Sequence, residues 1–373
     1  MVTGAAAYAL FQLSFLRMHE VVLYATAALV GLAAGQLWTG QGTYLAWNSN
    51  DETAGKHSGY FWGTSVLCQI AGGSFLYFAF RNENTKVLSD HTITLLYTTF
   101  TAVTLLGILT LILLRRPEEK KREEEAEVEE SGPSIGAWEV FQSTARLCVQ
   151  PRMLLILVVF FYTGLELAFI ESIYPTSIGF TLALGTNTRQ LLAANMIVGG
   201  VGMVAGSFLF SRTAFLKREV IVAIGCVAHL GVYAGVFVNL PGNASLFRTA
   251  ESSGFIGEPQ VWLVLVCGFL LGFADACWTT QTMAHLITWH KAESTQANSL
   301  FRFFQASAAC VGFLLGSKFR LEWHLLVLAA GALAGCVGFF AAERLNASRK
   351  REEATARMLP LGAAESKLGR TPV

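Results

Sequence analysis

Trp38-Thr39-Gly40-Gln41 returns as Trp278-Thr279-Thr280-Gln281, 240 residues downstream, and the same offset carries Phe61 onto Phe301 and Gly72 onto Gly312. The frame holds without a gap over two membrane-length segments and the loop between them. A chain assembled from two like halves leaves that trace, and membrane carriers are often built in this way. The repeat therefore predicts an all-α, multi-pass transmembrane helical bundle made of two related halves.

Working outward, composition agrees. The chain is 53% hydrophobic and 14% charged, with a mean hydropathy of +0.48, which is too apolar for a soluble globular domain. Ten stretches of about membrane-spanning length carry almost no charge: 1–16, 21–48, 57–80, 91–114, 153–180, 190–210, 220–239, 260–289, 297–317 and 323–342. Each is expected to be helical, because lipid offers no partner to an open backbone group.

A net charge of +1 argues against a nucleic-acid partner, and the basic residues sort instead by membrane side. Loops and tail at 49–56, 115–152, 211–219, 290–296 and 343–373 hold 19 Lys and Arg, the opposite face holds 7, and Arg302 lies inside a span. The positive-inside rule makes the first set cytoplasmic, so both termini are expected inside. Asn243-Ala244-Ser245 is then a glycosylation sequon on the outside, whereas Asn346-Ala347-Ser348 has the same pattern on the inner face. Seven cysteines occur without a Cys-x-x-Cys pair, and they read as small packing residues with neither disulfide frame nor metal site.

Four domains follow. Residues 1–114 form a first helical half of four spans, 115–152 a charged cytoplasmic linker, 153–342 a second half of six spans, and 343–373 a cytoplasmic tail. Within the linker, the highly charged run Arg115 to Glu130 reads as solvated, with an acidic docking site as the alternative. Ile135, Trp138, Phe141 and Leu147 then fall on one side of a short helix expected to lie along the inner membrane surface. Four spans against six is uneven for a duplicated protein. Matching the segments at the 240-residue offset leaves 153–210 without counterparts, so two further helices are expected upstream of Met1, the chain being an N-terminal truncation of a six-plus-six protein, about 10 of whose 12 helices are present.

The six-plus-six plan resembles the major facilitator superfamily. Within it, Leu37 to Trp62 (LWTGQGTYLAWNS through HSGYFW), Tyr162 to Leu167 (YTGLEL) and Leu271 to Gln281 (LGFADACWTTQ) are similar to the Unc-93-like, ion-channel regulatory branch, over nearly the whole chain to about Ala342. The resemblance implies a major-facilitator-like bundle and a protein that is an orphan carrier, a potassium-channel regulator or a trafficking partner of other membrane proteins. The superfamily's basic loop motif is poorly matched: Gly206 to Arg218 supplies Arg212, Lys217 and Arg218, but Ser211 stands where an acid is expected.

Ionisable residues inside spans are the candidate coupling or gating charges, because each costs about 2.5–3.5 kcal/mol at mid-membrane. Asp275, Trp278, Thr279 and Thr282 form one polar stripe, and Asn298, Arg302 and Gln305 another. At about 1.5 Å per residue, Asp275 lies about 22 Å from the outer end of its span and Arg302 about 8 Å from the inner end of the next. These depths coincide, so the two are expected to pair, and Glu166 has no obvious cation. Glu171, nearer the outer end, is expected to be solvated.

Gln36, Trp38, Thr39 and Gln41, with Tyr162, Trp278, Thr279, Gln281, Asn298 and Gln305, are expected to line a substrate cavity between the halves. The bland alternative is helix packing, supported by small-xxx-small spacing at Gly31/Gly35, Gly202/Gly206, Gly268/Gly272, Gly312/Gly316 and Gly331/Gly335. No nucleophile elbow, phosphate loop, zinc signature or dinucleotide fingerprint occurs, so neither an enzyme nor a cofactor is expected. The leading reading is a secondary carrier of an unidentified small solute, with a proton as one candidate coupled ion and the driving ion not legible from these residues. A non-transporting regulator or chaperone of a channel or receptor is the alternative.

Overall fold

Apolar segments that must bond their own backbone become helices. The computed structural model describes residues 1–80, 90–114, 136–185, 187–212, 216–253 and 255–368, and these are overwhelmingly helical, without a strand among them. The first half comprises α1 (Val2–Ser14), α2 (Glu20–Trp47), α3 (Ala54–Ser65), α4 (Leu67–Ala79) and α5 (Asp90–Ile112). After the linker come α6 (Ala137–Cys148), α7 (Pro151–Ala168), α8 (Tyr174–Phe180), α9 (Thr188–Ser211), α10 (Arg218–Asn239), α11 (Val261–Trp289), α12 (Ser294–Gly316) and α13 (Leu321–Leu368). A single π-helical turn, Phe169–Ile173, welds α7 to α8 into one 30-residue rod.

Eight of these helices, rather than ten, are long and apolar enough to cross a membrane. The two departures have local causes. α1 has only 13 residues, about 20 Å of helix against a hydrocarbon core of about 30 Å. Segment 57–80 is split at Val66, whose ψ of −4° tightens the turn, while the Ser65 hydroxyl bonds back to the Trp62 carbonyl at 2.8 Å.

The main apolar core belongs to the second half, where α7, α10, α11 and α13 converge on Ile156, Phe160, Tyr162, Val222, Cys226, Trp278, Ala332 and Phe339. α2 and α5 bury little of their surface. Glycines set the closest helix approaches. A Cβ at Gly202 would collide with the Phe269 carbonyl, and one at Gly272 with that of Gly199, which locks α9 onto α11. Gly312 meets Ala168, Gly331 meets Tyr162 and Gly335 meets Trp278. Gly31 and Gly35 have open space instead, so that pair does not mediate packing in the described structure.

The halves meet where α3 and α4 pack on α9, α3 on α11, and α2 on α12. At one end the predicted cytoplasmic loops gather: the Lys350 amine lies 2.7 Å from Asp51 Oδ2, and Lys291 donates to the Ser49 carbonyl at 2.7 Å. At the other end a backbone bridge joins Thr181 to Thr249, and Ser245 donates to the Phe319 carbonyl at 3.0 Å. α6 presents exposed, stacked Trp138 and Phe141 while Leu147 enters the core, so the face is divided rather than uniform. Arg115 to Glu130 and Ile135 lie outside the described residues.

All seven cysteines are free. Cys226, Cys267 and Cys277 pack in the core as expected, but Cys68 and Cys310 are exposed on helix surfaces.

Gly272→Leu is expected to lower the thermal midpoint of the detergent-solubilised protein markedly, because an added side chain meets backbone that cannot move aside; overpacking costs about 1–3 kcal/mol or more. Gly35→Ala, with nothing near its Cβ, is expected to leave the midpoint unchanged or raised.

Candidate functional site

Asp275 and Arg302 do not pair with each other. Successive helices α11 and α12 touch little, whereas α3 lies against α11 and α2 against α12. Each charge therefore meets a tryptophan of the first half. Trp62 donates its indole N–H to Asp275 Oδ2 at 3.2 Å, and Thr279 donates to the other oxygen at 3.2 Å. The Arg302 guanidinium lies 5.1 Å from the Trp38 ring and 4.6 Å from Phe301, and donates to Gln305 Oε1 at 2.9 Å. Such cation–π contacts strengthen when desolvated, reaching about 2 kcal/mol.

Glu166 does have a basic partner. His229, on α10, places Nε2 2.8 Å from Glu166 Oε1, and both residues are completely buried. The other imidazole nitrogen, Nδ1, lies 2.5 Å from the Tyr162 hydroxyl, which in turn lies 3.0 Å from that of Tyr233. A carboxylate, an imidazole and two phenols thus form one chain deep in the second half. Tyr162 also packs edge-on against Trp278, 4.9 Å between centroids, and Gly331 and Gly335 make room for both rings. Sequence reasoning missed His229, although a histidine within an apolar span is itself a signal.

A second network closes the predicted cytoplasmic end. Glu343 Oε1 lies 3.2 Å from Arg218 Nη1 and 2.7 Å from His285 Nδ1, and Oε2 accepts from Trp289 Nε1 at 3.0 Å. Arg218 also donates to the Thr288 hydroxyl at 2.6 Å. The sequence places Glu343 at the start of the tail, but α13 continues past residue 342 and turns it inward. Next to it, burial pushes the His290 imidazole down to about 3, assisted by His285 and Arg152, so His290 is neutral across the physiological range.

The other predicted lining residues find several different partners. Gln36 is exposed beside Thr3, at 3.5 Å, and Trp38 donates to the Tyr8 hydroxyl at 3.4 Å. Thr39 offers its carbonyl to Thr43, whose hydroxyl also meets Thr295 at 3.3 Å. Gln41 is buried, with neither amide atom bonded. Gln281 donates to Thr280, and Asn298 seats against Gly42 while donating to the Ser294 carbonyl at 2.8 Å. Gln305 reaches the Thr163 hydroxyl at 3.5 Å.

Between the halves lies a cavity of about 310 Å³ with a different lining. Gln69, Leu76 and Phe80 come from the first half; Glu171, Tyr174, Asn195 and Leu271 are among the residues supplied by the second. It lies toward the end of the bundle that carries Thr181. Among the described residues no group of three metal-ligating side chains comes together.

Two halves of long apolar helices, meeting around polar contacts and a shared cavity, define a membrane protein of the major facilitator fold. A solved structure of a major facilitator superfamily transporter, FucP in its outward conformation, superposes with a TM-score of 0.61 over 91% of this chain and 82% of that one, at 14% identity. The family model described as "Ion channel regulatory protein UNC-93" matches residues 1–340, and the chain belongs to the UNC-93 family. It is 30% identical over 351 residues to UNC93-like protein MFSD11 of Xenopus laevis, covering 90% of this chain and 78% of that protein. Protein unc-93 homolog A of Bos taurus is 25% identical over 409 residues, 99% of this chain and 85% of the relative.

Glu343→Ala leaves Arg218 and His285 without their acid in a mostly buried site, where breaking a pair costs about 3–5 kcal/mol. The thermal midpoint in detergent is expected to fall well below that of Glu322→Ala. That control removes the exposed Arg320–Glu322 contact, a class of pair contributing about 0–1 kcal/mol.

Proposed function

We propose that the protein is a secondary carrier of a small organic solute, driven by protons and working by rocking of its two helical halves. The carrying observation is the cavity of about 310 Å³ walled by both halves, since motion of one half against the other alters access to a site they share. Trp62–Asp275 and Trp38–Arg302 act as the contacts that rocking makes and breaks. Glu166 and His229 are the proton-coupling pair: an acid and a base lie 2.8 Å apart inside the bundle, away from bulk water. FucP, the relative in fold, is a fucose:proton symporter, which suits a proton-driven reading without indicating the solute.

The reconstituted full chain is expected to accumulate at least one member of a solute panel under an inward proton gradient. Glu166→Gln is expected to abolish accumulation while retaining solute exchange, and Asp275→Asn to slow both. Uptake absent under every gradient, or indifferent to both substitutions, removes the carrier.

The description of the family as ion-channel regulatory favours a second reading, a non-transporting regulator or chaperone of a channel or receptor. The exposed Trp138 and Phe141 on α6, next to the charged linker, offer it a surface. Recovery of one channel or receptor with residues 115–152 as bait, together with failed uptake, selects that alternative.

For topology, we place both termini in the cytoplasm and Asn243 outside. Its side chain donates to Glu251 at 3.1 Å in the folded loop, so glycan addition would precede closure of that loop. Protein expressed in a eukaryotic cell is expected to shift in mobility on glycosidase treatment, and Asn243→Gln to remove the shift; a retained shift refutes the assignment.

A further inference from the structure

Arg302 lies inside a span, and among the described residues no carboxylate pairs with it. Its guanidinium is held by rings instead, 5.1 Å from Trp38 and 4.6 Å from Phe301. A ring face attracts a cation without neutralising it, so a full positive charge stays in apolar surroundings, at a cost.

The donors at this point are not all used. Arg302 Nη1 donates to Gln305 Oε1 at 2.9 Å, whereas Nη2 has no hydrogen-bond partner among the described residues. Nε is sealed in the interior, but the residue as a whole is partly exposed, so the open edge is that of Nη2. Trp38 ties in a second donor. Its indole N–H is accepted by the Tyr8 hydroxyl at 3.4 Å, and the proton of that hydroxyl has no acceptor among the described residues. Tyr8 is partly exposed and within electrostatic reach of Arg302. Three helices thus bring a guanidinium edge and a phenol O–H together: α12 from the second half, α1 and α2 from the first.

One kind of occupant uses both donors and cancels the charge, an anion with two acceptor oxygens. A carboxylate matches: its oxygens accept in the planar geometry that arginine favours, and its single charge equals that of Arg302. A dianion leaves one charge unanswered inside the span.

We infer that Arg302 and Tyr8 form a binding site for a small carboxylate between the halves. It is separate from the cavity of about 310 Å³, whose lining includes neither residue. The inference goes beyond the carrier reading, since binding needs no transport.

The test uses the full chain in nanodiscs of zwitterionic lipid, with sodium propionate replacing sodium chloride stepwise at constant ionic strength. A ligand that binds the folded state raises the thermal midpoint. Propionate is expected to raise it saturably, and the neutral isostere propionamide to leave it unchanged. Arg302→Gln is expected to weaken the apparent affinity at least about tenfold, the scale of one hydrogen bond to a charged group. Tyr8→Phe is expected to weaken it less, and Arg302→Lys, which keeps the charge without the planar fork, to retain part of it. No shift with propionate, or an equal shift with propionamide, overturns the inference. So does an unchanged affinity in folded Arg302→Gln or, where that protein does not fold, in Tyr8→Phe. Propionate binding without uptake of any solute retains this site and removes the carrier; proton-driven uptake in a protein that does not bind propionate does the reverse.

Discussion

A charge inside a bilayer must be answered by another polar group or by water. Here the second half carries Asp275 and Arg302, and the first half answers them with Trp62 and Trp38. Both tryptophans have large apolar bodies that sit comfortably between helices, and each offers one electrostatic feature of the sign required: an N–H for the carboxylate, a negative ring face for the guanidinium. The arrangement makes the halves interdependent. Neither charge keeps its partner if the halves move apart at that level.

On the carrier reading, contacts of this type suit an interface that also opens. A direct Asp–Arg pair within the second half would be strong, indifferent to the position of the first half, and costly to break. An indole hydrogen bond and a cation–π contact are weaker and cross the interface, so their loss accompanies relative motion. Within the second half helices are held more directly. Gly202 and Gly272 bring α9 and α11 into backbone contact, and Glu343 binds α10, α11 and α13 through Arg218, His285 and Trp289. Glycines also bring the halves close, with Gly59 against Ser211 and Gly73 against Ile197, so the tryptophan contacts sit within a closely packed interface.

The bundle is legible in the sequence because membrane insertion imposes a coarse rule, an apolar run of sufficient length, that needs no knowledge of neighbours. Where neighbours matter, legibility falls. The Trp38/Trp278 echo marks equivalent places in two halves, yet Trp38 lies over Arg302 while Trp278 is sealed against Tyr162 and Gly335. Duplication preserved backbone positions, and partners diverged. The expected Asp275–Arg302 pair assumes that consecutive helices are neighbours in space; first-half helices cover both instead. Glu166 has no Lys or Arg to pair with, and its partner His229 is a base whose charge depends on its proton, so a count of fixed cations passes over it.

The cavity's location is the least legible feature, for a reason that lies in the backbone. A regular helix through Phe169–Ile173 keeps the 100° step on which stripes such as Asp275–Thr279 are read. One π turn inserts a residue and rotates everything beyond it, so Glu171 cannot be assigned a face by counting from Glu166. Two carboxylates five residues apart thus reach different surroundings: Glu166 inward to His229, Glu171 to the cavity between the halves. If protons act at the first and solute at the second, the stretch of chain between them is a single turn of irregular helix. That turn is short enough for a change in the bonding of Glu166 to be felt as a shift in the wall that holds Glu171.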